Sequence, residues 1–299
     1  MVHHNVCPLC SSEKIFSHFR CIDHFISKEA FGVYKCPECN FEFTQDYPEE
    51  TKISRYYESV DYISHSDTSE GFSNKIYYLV RNAMLHKKRR IIKNVTGKQS
   101  GSLLDIGSGT GHFAGTMKKA GWLVKGIEIN EKARDFSISR FGLEIIGPEK
   151  ISELDANSFD CITLWHVLEH FHDPFKYASQ ILRLLKHGGI CVIALPNCSS
   201  YDAKFYGQYW AAYDVPRHLW HFNPSSFRIF SEKTGFEVEN IRNLPLDVFY
   251  ISLLSEKYKG TRLPFITGIA KALLFAFLSV FKKKSSSSVI YILRKSTDQ

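Results

Sequence analysis

The sequence predicts an α/β protein built on a doubly wound, mostly parallel sheet of seven strands, with a small cysteine-bearing module in front of it. Three observations carry that expectation. From about residue 102, short apolar segments alternate with amphipathic segments of helical length. The first apolar segment runs into a glycine-rich turn, where open α/β sheets bind ligands. Ahead of this region, two C-P-x-C pairs occupy the first 45 residues.

The cysteine module comes first. Cys7–Cys10 and Cys36–Cys39 have the spacing of two tight knuckles that complete a tetrahedral, four-cysteine site for zinc, as in a zinc ribbon. About 45 residues bury too little apolar surface to fold unaided, so the metal is expected to supply the stability. Four protein ligands leave no open position, which makes this a structural site. Cys21, Cys161, Cys191 and Cys198 lack partner spacing and read as ordinary buried thiols. The opening "MVHHNVCPLC" has no apolar stretch of signal-peptide length, so a reducing, cytoplasmic setting is expected. The net charge of +7 suits an anionic substrate or a membrane surface and is too diffuse for nucleic acid.

Residues 46–98 read as a bridge or lid, "YYESVDYISHSD" followed by the helical run "SNKIYYLVRNAMLHKKRRIIKNV". Its basic cluster "HKKRR" reads as a solvated face. Tyr56, Tyr57 and Tyr62 could close over a ligand. Residues 99–299 form the core. Its strands are "SLLDIG", "LVKGIEI", "LEIIG", "FDCITLWH", "ICVIALPN", "EVENIRNL" and "SVIYILRK". The helix before "ICVIALPN" starts with Asp173 as N-cap and Pro174 in its first turn, and Gly188–Gly189 are expected to end it. An insertion at about 245–284 contains the apolar run "LPFITGIAKALLFAFLSVFKKK". A membrane span there would strand the final β-segment outside its sheet. The remaining readings are a buried helix covering the domain and an interfacial helix anchored by flanking lysines.

The glycine turn is "LLDIGSGTGHF". His112 stands where a dinucleotide turn needs its third glycine, and no Lys-Ser/Thr follows as in a phosphate loop. "LLDIGSGTG" resembles the first motif of class I S-adenosylmethionine-dependent methyltransferases, whose sheet is Rossmann-like. The resemblance implies that Asp105 serves the methionyl end of S-adenosylmethionine and that Gly107, Ser108, Gly109 and Gly111 shape the turn. It also implies that Glu128 takes the ribose hydroxyls, that Ile129 packs on adenine and that Trp165 flanks the cofactor. Physically, glycines let the backbone approach a ligand closely, and a carboxylate can accept from two hydroxyls at once. The third strand is followed by "PEKISELDANS", which departs from the family pattern in lacking a clear acidic residue for the adenine amine; Glu149 lies nearest and that contact is unassigned.

Methyl transfer from a sulfonium requires alignment, exclusion of water and, for a hydroxyl or carbon acid, removal of a proton. The catalytic candidates are His166 and Glu169 in "WHVLEH" and His218 in "DVPRH". Tyr206, Tyr209, Trp210, Asp214 and Arg217 are candidate acceptor contacts, because "DVPRH" resembles a segment lying over the active site in relatives that act on small molecules. Glu169, His170 and His172 also resemble a metal cluster, although histidines at a helix start are commonly structural. The fourth strand ends Leu164–Trp165–His166–Val167 instead of the Asn/Asp-Pro-Pro-aromatic motif of nucleic-acid amino-methyltransferases. "HVLEH" resembles quinone-biosynthesis O-methyltransferases, while the four-cysteine module and tyrosine-rich bridge resemble zinc-containing sugar C-methyltransferases. The expectation is a small-molecule, glycan-precursor or lipid-like acceptor, no nucleic acid, and membrane contact through 263–284. The contrasting reading is a cofactor-binding scaffold whose zinc module recruits a partner.

Overall fold

The computed structural model describes residues 1–57, 72–282 and 284–296, with side chains in its first helix from Val80 onward. Tyr62 lies outside the described residues. Strands β1 (Phe16–Ile22), β2 (Ala30–Lys35) and β3 (Glu42–Gln45) come first. Helix α1 (Phe72–Thr96) occupies the expected helical run. The alternating region then gives β4 (Ser102–Ile106), α2 (His112–Lys119), β5 (Leu123–Ile127), α3 (Glu131–Phe141), β6 (Glu144–Ile146), β7 (Phe159–Trp165), α4 (Pro174–Leu184) and β8 (Leu185–Pro196). The last part holds α5 (Tyr201–Tyr206), β9 (Trp220–His221), α6 (Pro224–Lys233), β10 (Phe236–Leu244), α7 (Asp247–Tyr258), α8 (Pro264–Phe281) and β11 (Ser288–Lys295).

The seven expected strands form one sheet in the order β10-β11-β8-β7-β4-β5-β6. β4 runs parallel to both β5 and β7, and β5 is parallel to β6. This is the doubly wound architecture predicted by the alternation. α4 ends earlier than expected, at Leu184, and β8 starts at Leu185. Asn157 N–H and Ser158 N–H take the carbonyls of Arg183 and Leu184, at 2.9 and 3.0 Å, and draw the chain into extended pairing before the double glycine.

A second sheet, β1-β2-β3-β9, is antiparallel at each of its junctions. Its fourth strand comes from "LWHF", where two residues are too few to show a β period in the sequence.

The chain clusters into two compact units. One comprises Met1–Ser59, Leu168–Pro174 and Ala194–Tyr291. The other comprises Val60–Val167, Phe175–Ile193 and Ile292–Gln299. The first unit centres on Phe31, Val33, Tyr56, Trp210, Tyr213 and Phe275. In the second, Leu103, Leu104 and Ile106 of β4 and Ile162 and Leu164 of β7 are wholly buried, as a central parallel strand requires. Cys21, Cys161, Cys191 and Cys198 are buried thiols.

Candidate active site

In the second unit, β4 ends at Ile106 and the chain turns. The N–H groups of Gly107 and Ser108 both donate to the Ile127 carbonyl at the end of β5, at 2.7 and 3.0 Å. Gly107, Gly109 and Gly111 all have positive φ, at 69°, 53° and 74°. Their surroundings differ. A Cβ on Gly107 would lie 2.4 Å from a methyl of Val167, and one on Gly111 would lie 2.7 Å from Ser137 Oγ. Beside Gly109 there is open space. Gly107 and Gly111 therefore permit packing, while Gly109 leaves exposed backbone that a ligand can approach.

Two carboxylates flank the turn. Glu128 accepts from Gly109 N–H at 2.7 Å and from Asn130 N–H at 2.9 Å, which orients it just past β5. Asp105 is buried and accepts from Thr163 Oγ1 at 2.7 Å. Burial pushes its carboxyl up to about 7; the Thr163 bond and the nearby Lys88 charge pull the other way, and Glu128 adds to the rise. Ser108 Oγ and Trp165 Nε1 are buried with no hydrogen-bond partner among the described residues. Lys88 Nζ sits 4.4 Å from the Trp165 ring centroid, and Phe113 meets that ring edge-on at 5.3 Å. Ile129 is 79% exposed and its side chain stands clear of the core. A turn with one open glycine, two carboxylates and two unanswered polar atoms fits a cationic, hydroxyl-bearing cofactor such as S-adenosylmethionine.

The acceptor-side candidates fall elsewhere. His166 follows β7 with φ 59°, unusual for a non-glycine residue. In the first unit, single ligand atoms of Glu169, His170 and His218 lie within 4.8 Å of one another. His218 replaces His172 in the group anticipated from sequence, because His172 Nε2 bonds the Pro48 carbonyl at 2.9 Å. The His170 and His218 rings meet at 4.6 Å, nearly perpendicular. His218 Nδ1 donates to Ala212 O at 2.8 Å, leaving Nε2 as the lone-pair nitrogen. His170 Nδ1 lies 3.1 Å from both Arg217 O and Tyr57 Oη. Burial, and then His218, lowers the His170 pKa to about 4.

The remaining candidates are mostly tied into the fold. Arg217, anticipated as an acceptor contact, is 2% exposed. It donates to Asp214 through Nε and Nη2, at 2.9 and 2.6 Å, to Asp23 at 3.0 Å and to Tyr56 O at 2.9 Å. Asp214 is thereby held beside Arg217. Tyr206 and Trp210 are core residues, with Tyr206 Oη donating to Glu256 at 3.1 Å and Trp210 Nε1 to Asp202 at 2.7 Å. Tyr209 is half-buried. Asp23 and Thr163 were absent from the sequence-based site, whereas His170 stood in the metal-like cluster read there. "HVLEH" already displayed His170, but no local signal connects Asp23 to a loop nearly two hundred residues later.

The cysteines converge as their spacing predicts. Cys7 and Cys39 sulfurs lie 3.6 Å apart, as do those of Cys10 and Cys36, and all four lie within 4.8 Å of one another. Zn–S bonds of about 2.3 Å in a tetrahedron place sulfurs roughly 3.8 Å apart, so the set fits a zinc ion.

A family model described as "Methyltransferase domain" matches residues 79–241, more than half of the chain. The chain belongs to the methyltransferase family. This methyltransferase is 27% identical over 183 residues to the ubiquinone biosynthesis O-methyltransferase of Nitrosococcus oceani, covering 56% of this chain and 75% of that one. Its fold is shared with a SAM-dependent methyltransferase from Archaeoglobus fulgidus, with TM-score 0.50 and 21% identity over 73% of this chain and 99% of the other. It is also shared with the 1,6-didemethyltoxoflavin-N1-methyltransferase of Burkholderia thailandensis, solved with its substrate and S-adenosylhomocysteine. There the TM-score is 0.51 and the identity 14%, over 91% and 98% of the two chains. The protein is a class I methyltransferase that uses S-adenosylmethionine.

Proposed function

We propose that this methyltransferase transfers the S-adenosylmethionine methyl group to a hydroxyl of a small, lipid-like acceptor in the cytoplasm. The observation that carries the reading is the His170–His218 pair. Each ring's Nδ1 lies within hydrogen-bond reach of a backbone carbonyl, and His218 Nε2, the nitrogen not engaged by that carbonyl, stands 4.0 Å from Asp214 Oδ2 in the cluster with Glu169. A neutral imidazole with a fixed tautomer is suited to accept a hydroxyl proton. The likeness to a ubiquinone biosynthesis O-methyltransferase supports the same acceptor class.

In this reading the acceptor oxygen attacks the methyl carbon, the carbon–sulfur bond breaks and the thioether leaves neutral. The hydroxyl proton passes to His218 Nε2. Glu169 and His170 position that imidazole, and His166, at the end of β7, contacts the acceptor. On the donor side, Glu128 accepts from the ribose hydroxyls, Asp105 faces the cationic methionyl end, and Ile129 and Trp165 provide apolar surface. Ser108 and Gly109 present the turn's backbone. Cys7, Cys10, Cys36 and Cys39 hold a structural zinc, which supplies folding energy to the small sheet and takes no part in the chemistry.

Acceptor turnover tests this directly. Purified enzyme with S-adenosylmethionine should methylate a phenol carrying an isoprenoid tail, and His218→Gln should lower kcat by about 10²–10⁴ with donor affinity unchanged. Turnover confined to nucleotide sugars, or an unaffected His218→Gln enzyme, would refute the assignment.

A further inference from the structure

Helix α8 carries apolar residues on two faces, and only one of them is covered. Gly268, Ala272 and Phe275, spaced i, i+4, i+7, are buried, and a Cβ on Gly268 would lie 2.9 Å from the Leu253 backbone of α7. The opposite stripe, Ile266, Leu273, Phe277 and Val280, stands 57–73% exposed, and its neighbours Phe265, Leu274 and Phe281 are exposed as well. By length and composition this 18-residue helix could cross a membrane. Its attachments exclude that arrangement. Near its N-terminal end, Thr267 Oγ1 donates to Glu256 of α7 at 3.1 Å. At its C-terminal end, Asn243 of β10 donates to Ser279 O and accepts from Lys284 N–H, both at 3.1 Å. Both ends and one face are fastened to the same unit, and the chain then enters β11, which lies between β10 and β8 in the sheet.

The charges around this stripe select its partner. Residues 245–284 contain seven Lys and Arg against two acids, and one of the acids, Glu256, is buried. Lys257, Lys259 and Arg262 lie before the helix, and Lys282 and Lys284 after it, all exposed. The exposed stripe carries no charge. Two copies of α8 brought face to face would set cations against cations at both ends in either orientation, with no acid on the helix to offset them. A surface of anionic headgroups over an apolar interior complements both features.

We propose that α8 lies in the plane of an anionic lipid bilayer, with Ile266, Leu273, Phe277 and Val280 entering the acyl boundary and the flanking Lys and Arg residues contacting headgroups. This assignment does not depend on which acceptor is methylated, and its failure would leave the methyl-transfer reading intact.

Co-sedimentation of the full chain with vesicles tests it. Binding is expected on phosphatidylcholine vesicles containing phosphatidylglycerol and weak on phosphatidylcholine alone. It should fall about tenfold between about 0.1 and 0.5 M salt, as screened charges require. Phe277→Asp/Val280→Asp should weaken binding by about tenfold or more. Lys282→Glu/Lys284→Glu, which changes only exposed side chains, should do the same while S-adenosylmethionine affinity is retained. Wild-type protein that stays in the supernatant with anionic vesicles, or pellets equally with both variants, would overturn the proposal. So would a wild-type dimer in light scattering that Phe277→Asp/Val280→Asp converts to monomer, because the face would then be a self-association surface.

Discussion

Asp23 and Arg217 stand 194 positions apart in the chain, yet they form a buried ion pair with Oδ1 and Nη2 3.0 Å apart. The pair joins the loop after β1 to the "DVPRH" segment within one unit. Burial alone would push the Asp23 carboxyl up. The N–H of Ser27, the Arg217 guanidinium and the N–H of Ile26 outweigh it and hold the group down at about 2. Removing one partner strands the other charge without water. Arg217→Met, which leaves buried Asp23 without its countercharge, should cost about 3–5 kcal/mol in urea unfolding. Arg217→Lys should recover only part of this, because an ammonium cannot reproduce the forked contacts to Asp214. A loss below about 1 kcal/mol for Arg217→Met would show that the pair does not hold the loop.

The glycine turn and its two flanking carboxylates were legible in sequence because their determinants are local. The turn's glycines, Asp105 and Glu128 lie within 24 positions on two adjacent strands, and period and spacing report such arrangements well. The surroundings of "YDVPRHLWHF" were only partly legible. Its two-residue strand β9, the buried state of Arg217 and the pairing of His170 with His218 depend on segments far apart in the chain. Residue type cannot distinguish a substrate arginine from one that neutralises a buried and a half-buried carboxylate. The helix at 263–281 was correctly located, but its exposed stripe could not be read from a segment apolar on nearly every side.

The cysteine geometry predicts a metal content. Purified protein should carry one zinc equivalent, and Cys36→Ser should lower it and destabilise the small antiparallel sheet. Chelation should reduce the melting temperature. Metal-free protein that retains the full melting temperature would refute a structural zinc.

The three turn glycines should respond differently to alanine. Gly107→Ala faces both a positive φ and a 2.4 Å clash with Val167, so it should destabilise the fold and abolish cofactor binding together. Gly109→Ala meets open space and carries only the left-handed strain, about 1 kcal/mol. Its melting temperature should fall little while S-adenosylmethionine affinity drops by tenfold or more, because the added methyl occupies the approach to the backbone. Calorimetry alongside thermal melts separates the two outcomes. An unchanged affinity in Gly109→Ala would place the cofactor elsewhere.

Half-buried His170 and buried His221 make the fold acid-sensitive. His170 titrates at about 4 in the folded chain, chiefly through burial, and burial also lowers His221 well below its ordinary value. Unfolded histidines bind protons below about 6.5, so the unfolded chain takes up more protons than the folded one between about pH 6.5 and 4. Stability should therefore fall steadily as pH drops through that window. His170→Gln should flatten part of the slope in a series of urea melts. A wild-type curve level from about pH 7 to 4.5 would contradict the neutral state of these histidines.

Asp105 predicts a pH dependence of cofactor affinity. Without ligand its carboxyl is raised to about 7 by burial, so much of it is protonated near neutrality. S-adenosylmethionine carries a sulfonium and an ammonium, and positive charge beside a carboxyl favours its ionised form. Binding should then release a proton from Asp105 wherever the free protein holds one. By linkage, affinity should rise as pH increases towards about 7, by at most tenfold per unit, and level off above it. Asp105→Asn cannot release that proton, so its affinity should be weaker at about pH 8 and should lose this dependence on pH. Calorimetry in buffers of different ionisation enthalpy measures the proton release itself. A wild-type affinity that is flat from about pH 5.5 to 8, with no proton released, would remove Asp105 from the cationic end of the cofactor.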